Sequence, residues 1–378
     1  MKEQLGRYGE NPHQTAWKEI DKTYQGPNVF TDALHGKLLG YNNLQDANAA
    51  LEVLLDLQER PSSVVMKHKN PCGLATGSNL AEAFTNTWFG DEISAFGSIV
   101  GYSQQVDENA VKLLSNKFVE VLVAPSYTKG ALDWIESKKT KKDLRVIATG
   151  PLENVPEFVE ENKIRGGVLS QTLDNRLYLC DSIKGLLSNP QKITEPNSGL
   201  EYNVGNVTKR KFGGGMQELI EFSIIAGKHT KSNAIILAYE YEPGKCRVLG
   251  MGAGQPNRKD SGEKLALPKA QENLMRQYFR EQGLNYQMVM DKMIRNDEYR
   301  SNMLKTVKEY TKNILSSKKV VLFSDAFFPF RDGLDAVAEL GVKYIVQPGG
   351  SRQDEEVIRA ANQQDVAMIF TGIRHFRH

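Results

Sequence analysis

Residues 46–73, DANAALEVLLDLQERPSSVVMKHKNPCG, decide the fold class. Ala47, Ala50, Leu51, Leu54 and Leu55 recur at three- and four-residue spacing, so they share one helix face, with Asp46 as the expected N-cap. Pro61 ends that pattern. Residues 62–66 are short and largely apolar, as a buried strand is, and a polar run follows from Lys67 to Asn70. A helix handing over to a buried strand marks an α/β layer.

The same alternation extends outward. A helix is expected over 79–88 and an extended segment over 97–100. A second buried strand is expected over 119–124 (VEVLVA), ended by Pro125. Residues 150–215 are rich in turn residues, including Asn189-Pro190 and Gly213-Gly-Gly215, with a small strand expected at 165–170. Alternation resumes with a helix over 216–226 and strands over 233–240 and 247–250, joined by a hairpin turn at Glu242-Pro-Gly-Lys245. Further strands are expected over 320–323, 343–346 and 366–370, with helices over 332–340 and 353–362. A soft boundary near 200 gives a first lobe of 1–199, including the irregular connection, and a second of 200–378. Lys67-His68 and Lys228-His229 each sit beside an apolar segment. That pairing, with the order of later landmarks, suggests an internal duplication.

Composition removes several function classes. The 378 residues carry 48 Lys and Arg against 46 Asp and Glu, a formal charge of +2. This gives no whole-chain drive toward nucleic acid or an anionic membrane. Hydrophobic residues make up 40% of the chain, enough for a globular core. No run approaches ~18 apolar residues, and the first residues have no apolar signal core. Three widely spaced cysteines, Cys72, Cys180 and Cys246, read as reduced thiols, so a cytoplasmic protein is expected.

Four polar, turn-rich segments are candidates for chemistry. Arg7-Tyr-Gly-Glu-Asn-Pro-His-Gln14 offers a guanidinium whose planar fork suits a phosphate. Lys67-His-Lys-Asn-Pro-Cys-Gly73 follows a strand end, with an imidazole able to take a proton near neutrality and lysines to face a developing oxyanion. A zinc deaminase would need His-x-Glu and Pro-Cys-x-x-Cys. Here Asn70 and Ala75 stand at the Glu and second Cys positions, so no metal set is complete. Gly250-Met-Gly-Ala-Gly-Gln-Pro-Asn-Arg258 departs from the dinucleotide spacing, though its glycines would let a backbone approach a flat ligand. Ser324-Asp-Ala-Phe-Phe-Pro-Phe-Arg-Asp332 sets aromatic rings and an acid beside a strand end, which suits a planar heterocycle. Pro348-Gly-Gly-Ser-Arg352 and a basic C-terminal Gly372-Ile-Arg-His-Phe-Arg-His378 follow further strands.

In this order, together with Lys228-His-Thr-Lys-Ser-Asn233, these motifs resemble the AICAR transformylase family over essentially the whole chain. The resemblance implies an α/β fold of duplicated cytidine deaminase-like lobes with mixed sheets and no catalytic zinc. It implies transfer of the formyl group of 10-formyltetrahydrofolate, a co-substrate, to the 5-amino group of AICAR, with no tightly bound cofactor. His68 would be the base, Lys67 the oxyanion stabiliser and Asn233 the group orienting the amine. Arg7, Tyr8, Gly97, Glu120, Phe327 and Arg374 would bind AICAR, the two arginines facing its phosphate. Arg258, Asp332, Ser351 and Arg352 would line the folate site. The resemblance also implies a homodimer with shared active sites, no nucleic-acid or membrane partner, and a standalone transformylase needing a separate IMP cyclohydrolase. A zinc-dependent deaminase, an inactive nucleotide-binding module and the cyclohydrolase itself are the competing readings.

Overall fold

In the computed structural model, which describes residues 2–153 and 155–378, the chain divides into two units. One holds Met1–Trp88 and Glu92–Arg176; the other holds Phe89–Asp91 and Leu177–His378.

In the first unit, β1 (Lys2–Tyr8) and β2 (Thr15–Glu19) form an antiparallel pair. Strands β3 (Ser62–Lys67), β4 (Asn70–Thr76), β5 (Ser98–Tyr102), β6 (Val119–Ala124) and β7 (Arg145–Ala148) lie in the order β4-β3-β5-β6-β7. Strand β3 runs antiparallel to both neighbours, whereas β5, β6 and β7 are parallel. Val64 stands opposite Gly101, and Val65 opposite Gly73, so the two pairs point to opposite faces. A side chain on Gly101 would press on Leu54 of helix Tyr41–Asp56. One on Gly73 would run into the Thr87 carbonyl of helix Leu80–Trp88. Each face of the sheet therefore carries one helix at close range. Beyond β7, β8 (Val159–Ile164) and β9 (Gly167–Thr172) form a separate antiparallel hairpin, and β9 contains most of the small strand expected at 165–170.

The first helix begins at Tyr41, not at Asp46. The Asn43 side chain turns back to accept from Gly40 N at 3.2 Å, which ties the helix start. Asp46 sits inside the helix, and its carboxylate is used elsewhere.

In the second unit, the strands are β10 (Gln191–Thr194), β11 (Glu201–Asn206), β12 (Ile235–Glu242), β13 (Lys245–Gly252), β14 (Val320–Ser324), β15 (Tyr344–Gln347) and β16 (Ala367–Phe370). Their order is β10-β11-β16-β15-β14-β12-β13. Strand β12 is antiparallel to β13 and β14, whereas β14, β15 and β16 are parallel. The run β13-β12-β14-β15-β16 thus has the order and strand senses of β4-β3-β5-β6-β7. Helix Gln217–Lys228 precedes β12 as Tyr41–Asp56 precedes β3. The core of this unit gathers Leu237, Leu249, Leu274, Leu322, Ile345, Val357 and Met368. Helices Leu267–Glu281, Tyr286–Arg295 and Asp297–Leu315 lie in the link from β13 to β14. They share a small core of Phe279, Val289, Met293 and Val307.

The two Lys-His pairs are not equivalent in this topology. Lys67-His68 closes the β3–β4 hairpin, whereas Lys228-His229 ends the helix before β12. The repeat is a repeat of strand order, and the short sequence match between those pairs is coincidental. The glycine-spaced segment also has a structural use. Gly250 and Gly252 lie in β13, where a side chain would run into the carbonyls of Ala266 and Ser261. Their bareness seats the chain's own helical segment rather than a ligand. Among the described residues, no helix is long and apolar enough to cross a membrane.

Candidate functional site

Strand β3 ends at Lys67 and β4 starts at Asn70, which leaves His68 and Lys69 as a two-residue hairpin loop. Both have positive φ, 54° and 60°. This turn geometry matches the right-handed twist of paired strands, but it favours Asn and Gly. Non-glycine residues held there cost roughly 1–3 kcal/mol each and persist only where the surroundings enforce them. Here they are enforced: Asp46 Oδ2 accepts from His68 N at 3.2 Å, and its Oδ1 accepts from Lys69 N at 2.8 Å. Asn70 Nδ2 donates to the His68 carbonyl at 3.2 Å. The imidazole of His68 is consequently exposed on a fixed backbone.

A cavity of about 220 Å³ lies beside this turn, lined by Arg7, Tyr8, Lys67, His68, Gly97 and Glu120, with Asn43 and Asp46 among its other walls. Six of the residues expected at the site from sequence therefore meet in the first unit. Lys67 Nζ donates to the Phe96 carbonyl at 2.8 Å. Gly97 has φ 72°, and its N–H donates to the Phe118 carbonyl at 2.9 Å, so the chain bends past the cavity without a side chain. Glu120 Oε2 accepts from Asn43 Nδ2 at 3.1 Å and lies 3.9 Å from Arg145 Nη1. Burial, and then the charge of Arg7, push the Arg145 guanidinium below its ordinary range. The lining itself is balanced, Arg7 and Lys67 against Asp46 and Glu120, and Arg145 behind Glu120 tips the region by one positive charge, which favours an anionic ligand.

The second unit holds another polar constellation. Arg258 Nη2 donates to Asp325 Oδ1 at 2.7 Å and to Asn233 Oδ1 at 2.8 Å. Its Nη1 reaches the Phe327 carbonyl at 3.3 Å. Asn233 Nδ2 donates to the Gln255 carbonyl at 2.9 Å, and Ser232 Oγ donates to Asp325 Oδ2. Asn233, Arg258 and Phe327 are thus brought together, with both ends of the Asn233 amide already engaged. The other expected residues of this unit have separate surroundings. Arg374 is exposed, its guanidinium 4.2 Å from the Phe376 ring. Asp332 Oδ2 lies 3.7 Å from Lys259 Nζ. Ser351 caps its own loop, accepting from Gln353 N at 3.1 Å, and Arg352 is exposed. His229 is buried, with Nδ1 3.0 Å from Arg377 Nη1. The residues that sequence reasoning missed are Asp46 as an anchor, Asn43 and Arg145. Asp46 acts across 22 positions and Arg145 across 25, so no local pattern announces either.

Comparison with known proteins bears on this geometry. The family model described as "AICARFT/IMPCHase bienzyme" matches residues 1–269. The chain belongs to the AICARFT/IMPCHase family. Among its relatives are proteins named bifunctional purine biosynthesis protein PurH. That of Lactobacillus acidophilus is 34% identical over 379 residues, covering 100% of this chain and 60% of the relative. That of Rhodopirellula baltica is 35% identical over 376 residues, covering 98% and 58%. That of Bartonella tribocorum is 36% identical over 383 residues, covering 100% and 59%. This AICARFT/IMPCHase-family chain therefore spans about three-fifths of the length of the curated relatives it matches.

Proposed function

We propose that the chain acts in purine biosynthesis by transferring the formyl group of 10-formyltetrahydrofolate to the 5-amino group of AICAR, giving formyl-AICAR and tetrahydrofolate. The observation that carries this reading is the delivery of Lys67 and His68 by one turn into a cavity that also holds Arg7. Family membership supports it. Phosphate on the nucleotide would meet Arg7 and Arg374. Tyr8, Gly97, Glu120 and Phe327 would shape the pocket, and Asn233 would orient the carboxamide. Arg258, Asp332, Ser351 and Arg352 would face the folate.

The chemistry suits these groups. The AICAR amine is conjugated with its ring and carboxamide, so it is a weak nucleophile. Attack on the formyl carbon makes the amine nitrogen acidic and the formyl oxygen anionic. His68 takes the proton, and the Lys67 ammonium faces the oxyanion. Collapse of the tetrahedral carbon breaks its bond to the folate nitrogen, which leaves with the proton that His68 has taken. No oxidant or reductant is needed, and no tightly bound cofactor is invoked. In this reading the matching strand orders reflect duplicated cytidine deaminase-like lobes, and the working form is a cytoplasmic homodimer with shared sites.

The test is to mix purified chain with AICAR and 10-formyltetrahydrofolate and follow tetrahydrofolate release. Release that requires AICAR supports transfer. Absence of release, with conversion of formyl-AICAR to IMP instead, would assign the chain to the other activity in the family's description.

A further inference from the structure

We infer that Asp46 is the positioning residue for His68: its carboxylate holds the β3–β4 turn in a conformation that His and Lys would not otherwise keep. The two contacts are with the consecutive N–H groups of His68 and Lys69, the residues at positive φ. Asp46 itself stands on helix Tyr41–Asp56, which is packed on the sheet through Leu51 and Leu54. The turn is therefore referenced to a rigid element rather than to neighbouring loop.

The second unit supplies an internal comparison. Its topologically equivalent hairpin, between β12 and β13, turns at Pro243-Gly244. There the positive φ of 73° falls on Gly244, which tolerates it without steric cost. Its N–H donates to Glu240 Oε1 at 2.9 Å. Glu218, on the helix equivalent to Tyr41–Asp56, also approaches that turn, so closely that a side chain on Gly244 would meet its carboxylate. Both turns bond an N–H to a carboxylate, but only the β3–β4 turn puts two non-glycine residues, an imidazole and an ammonium, at positive φ, and there the carboxylate holds both N–H groups.

The inference rests on the proposed formyl transfer only for its kinetic readout. Asp46→Ala should lower kcat about tenfold or more, the scale of one relaxed backbone strain, while KM for AICAR moves less than about threefold. Placing the same substitution in a Lys69→Gly background should shrink the kcat loss to under about a third of that factor, because glycine keeps positive φ unaided. Hydrogen exchange followed by mass spectrometry on a peptide spanning 62–76 gives a readout free of catalysis: uptake at His68 and Lys69 should rise in Asp46→Ala. Should that variant fail to fold, Asp46→Asn, which keeps one carbonyl acceptor, takes its place with the same expectations at smaller size. Unchanged kcat, an equal loss in both backgrounds, or unchanged exchange would each overturn the inference. A wild-type chain without formyl transfer would remove the proposed function, while the exchange comparison would still judge Asp46.

Discussion

Arg258 and Asp325 form an ion pair at 2.7 Å in which the aspartate side chain has no exposed surface and the arginine side chain only 9%. Desolvating both charges is costly, and the attraction offsets that cost only while both partners are present. Arg258→Ala leaves the Asp325 carboxylate buried with Ser232 as its remaining side-chain donor. We expect a loss of about 3 kcal/mol, read from the denaturant midpoint. A midpoint within about 0.5 kcal/mol of wild type would mean that water replaces the guanidinium without cost.

His68 separates stability from chemistry. His68→Gly should be more stable than His68→Ala by about 1 kcal/mol, because only the alanine keeps a Cβ at positive φ. Both should lose at least about 10²-fold in formyl transfer, the lower range for a general base. Thermal melts and steady-state rates on the same samples decide this. Activity surviving in either variant would move the base elsewhere.

The glycines of the segment 250–258 should differ in cost. Gly250→Ala forces a methyl against the Ala266 carbonyl and should destabilise by about 2 kcal/mol or more. At Gly254, φ is 67° and the space is open, so Gly254→Ala should cost only the conformational penalty of about 1 kcal/mol. Equal losses at the two positions would contradict the packing role given to Gly250.

Asp354 gives a pH signature. Burial raises its carboxyl above the ordinary range, although Gly350 N donates to Oδ2 at 2.8 Å. The folded state then holds that proton more tightly than the unfolded state. Asp354 therefore adds stability as pH falls from neutrality through its folded value, and that gain levels off below the usual carboxylate pKa. The stability of wild type relative to Asp354→Asn should rise as pH is lowered over that window. A difference that stays flat would remove the burial effect.

Much of the framework was legible from sequence because its strands are buried on both faces. Residues 119–124 read as a strand and are one, since five of the six are apolar and buried, with Glu120 alone breaking the run. The strands near 320, 343 and 366 were visible for the same reason. The three helices between 267 and 315 were not. Leu267, Ala270 and Leu274 do recur at helical spacing in the first of them, but polar and charged residues outnumber apolar ones in that helix, which masks the stripe. At the site, Lys67 and His68 stood out by chemistry alone. The anchor Asp46 looked like a helix cap because local pattern cannot distinguish a side chain bonding to its own helix from one reaching a turn 22 residues on.

The hairpin of β8 and β9 has a practical consequence. Apart from Glu160, every residue of the two strands is exposed. A two-stranded ribbon with so little packing is marginal in water and opens ahead of the sheets. Lys163 and Arg165 lie at its tip, within the first unit and shortly before its end at Arg176. Brief trypsin treatment should therefore nick the chain there first, yielding two large fragments that correspond closely to the two units and can be tested for whether they stay associated.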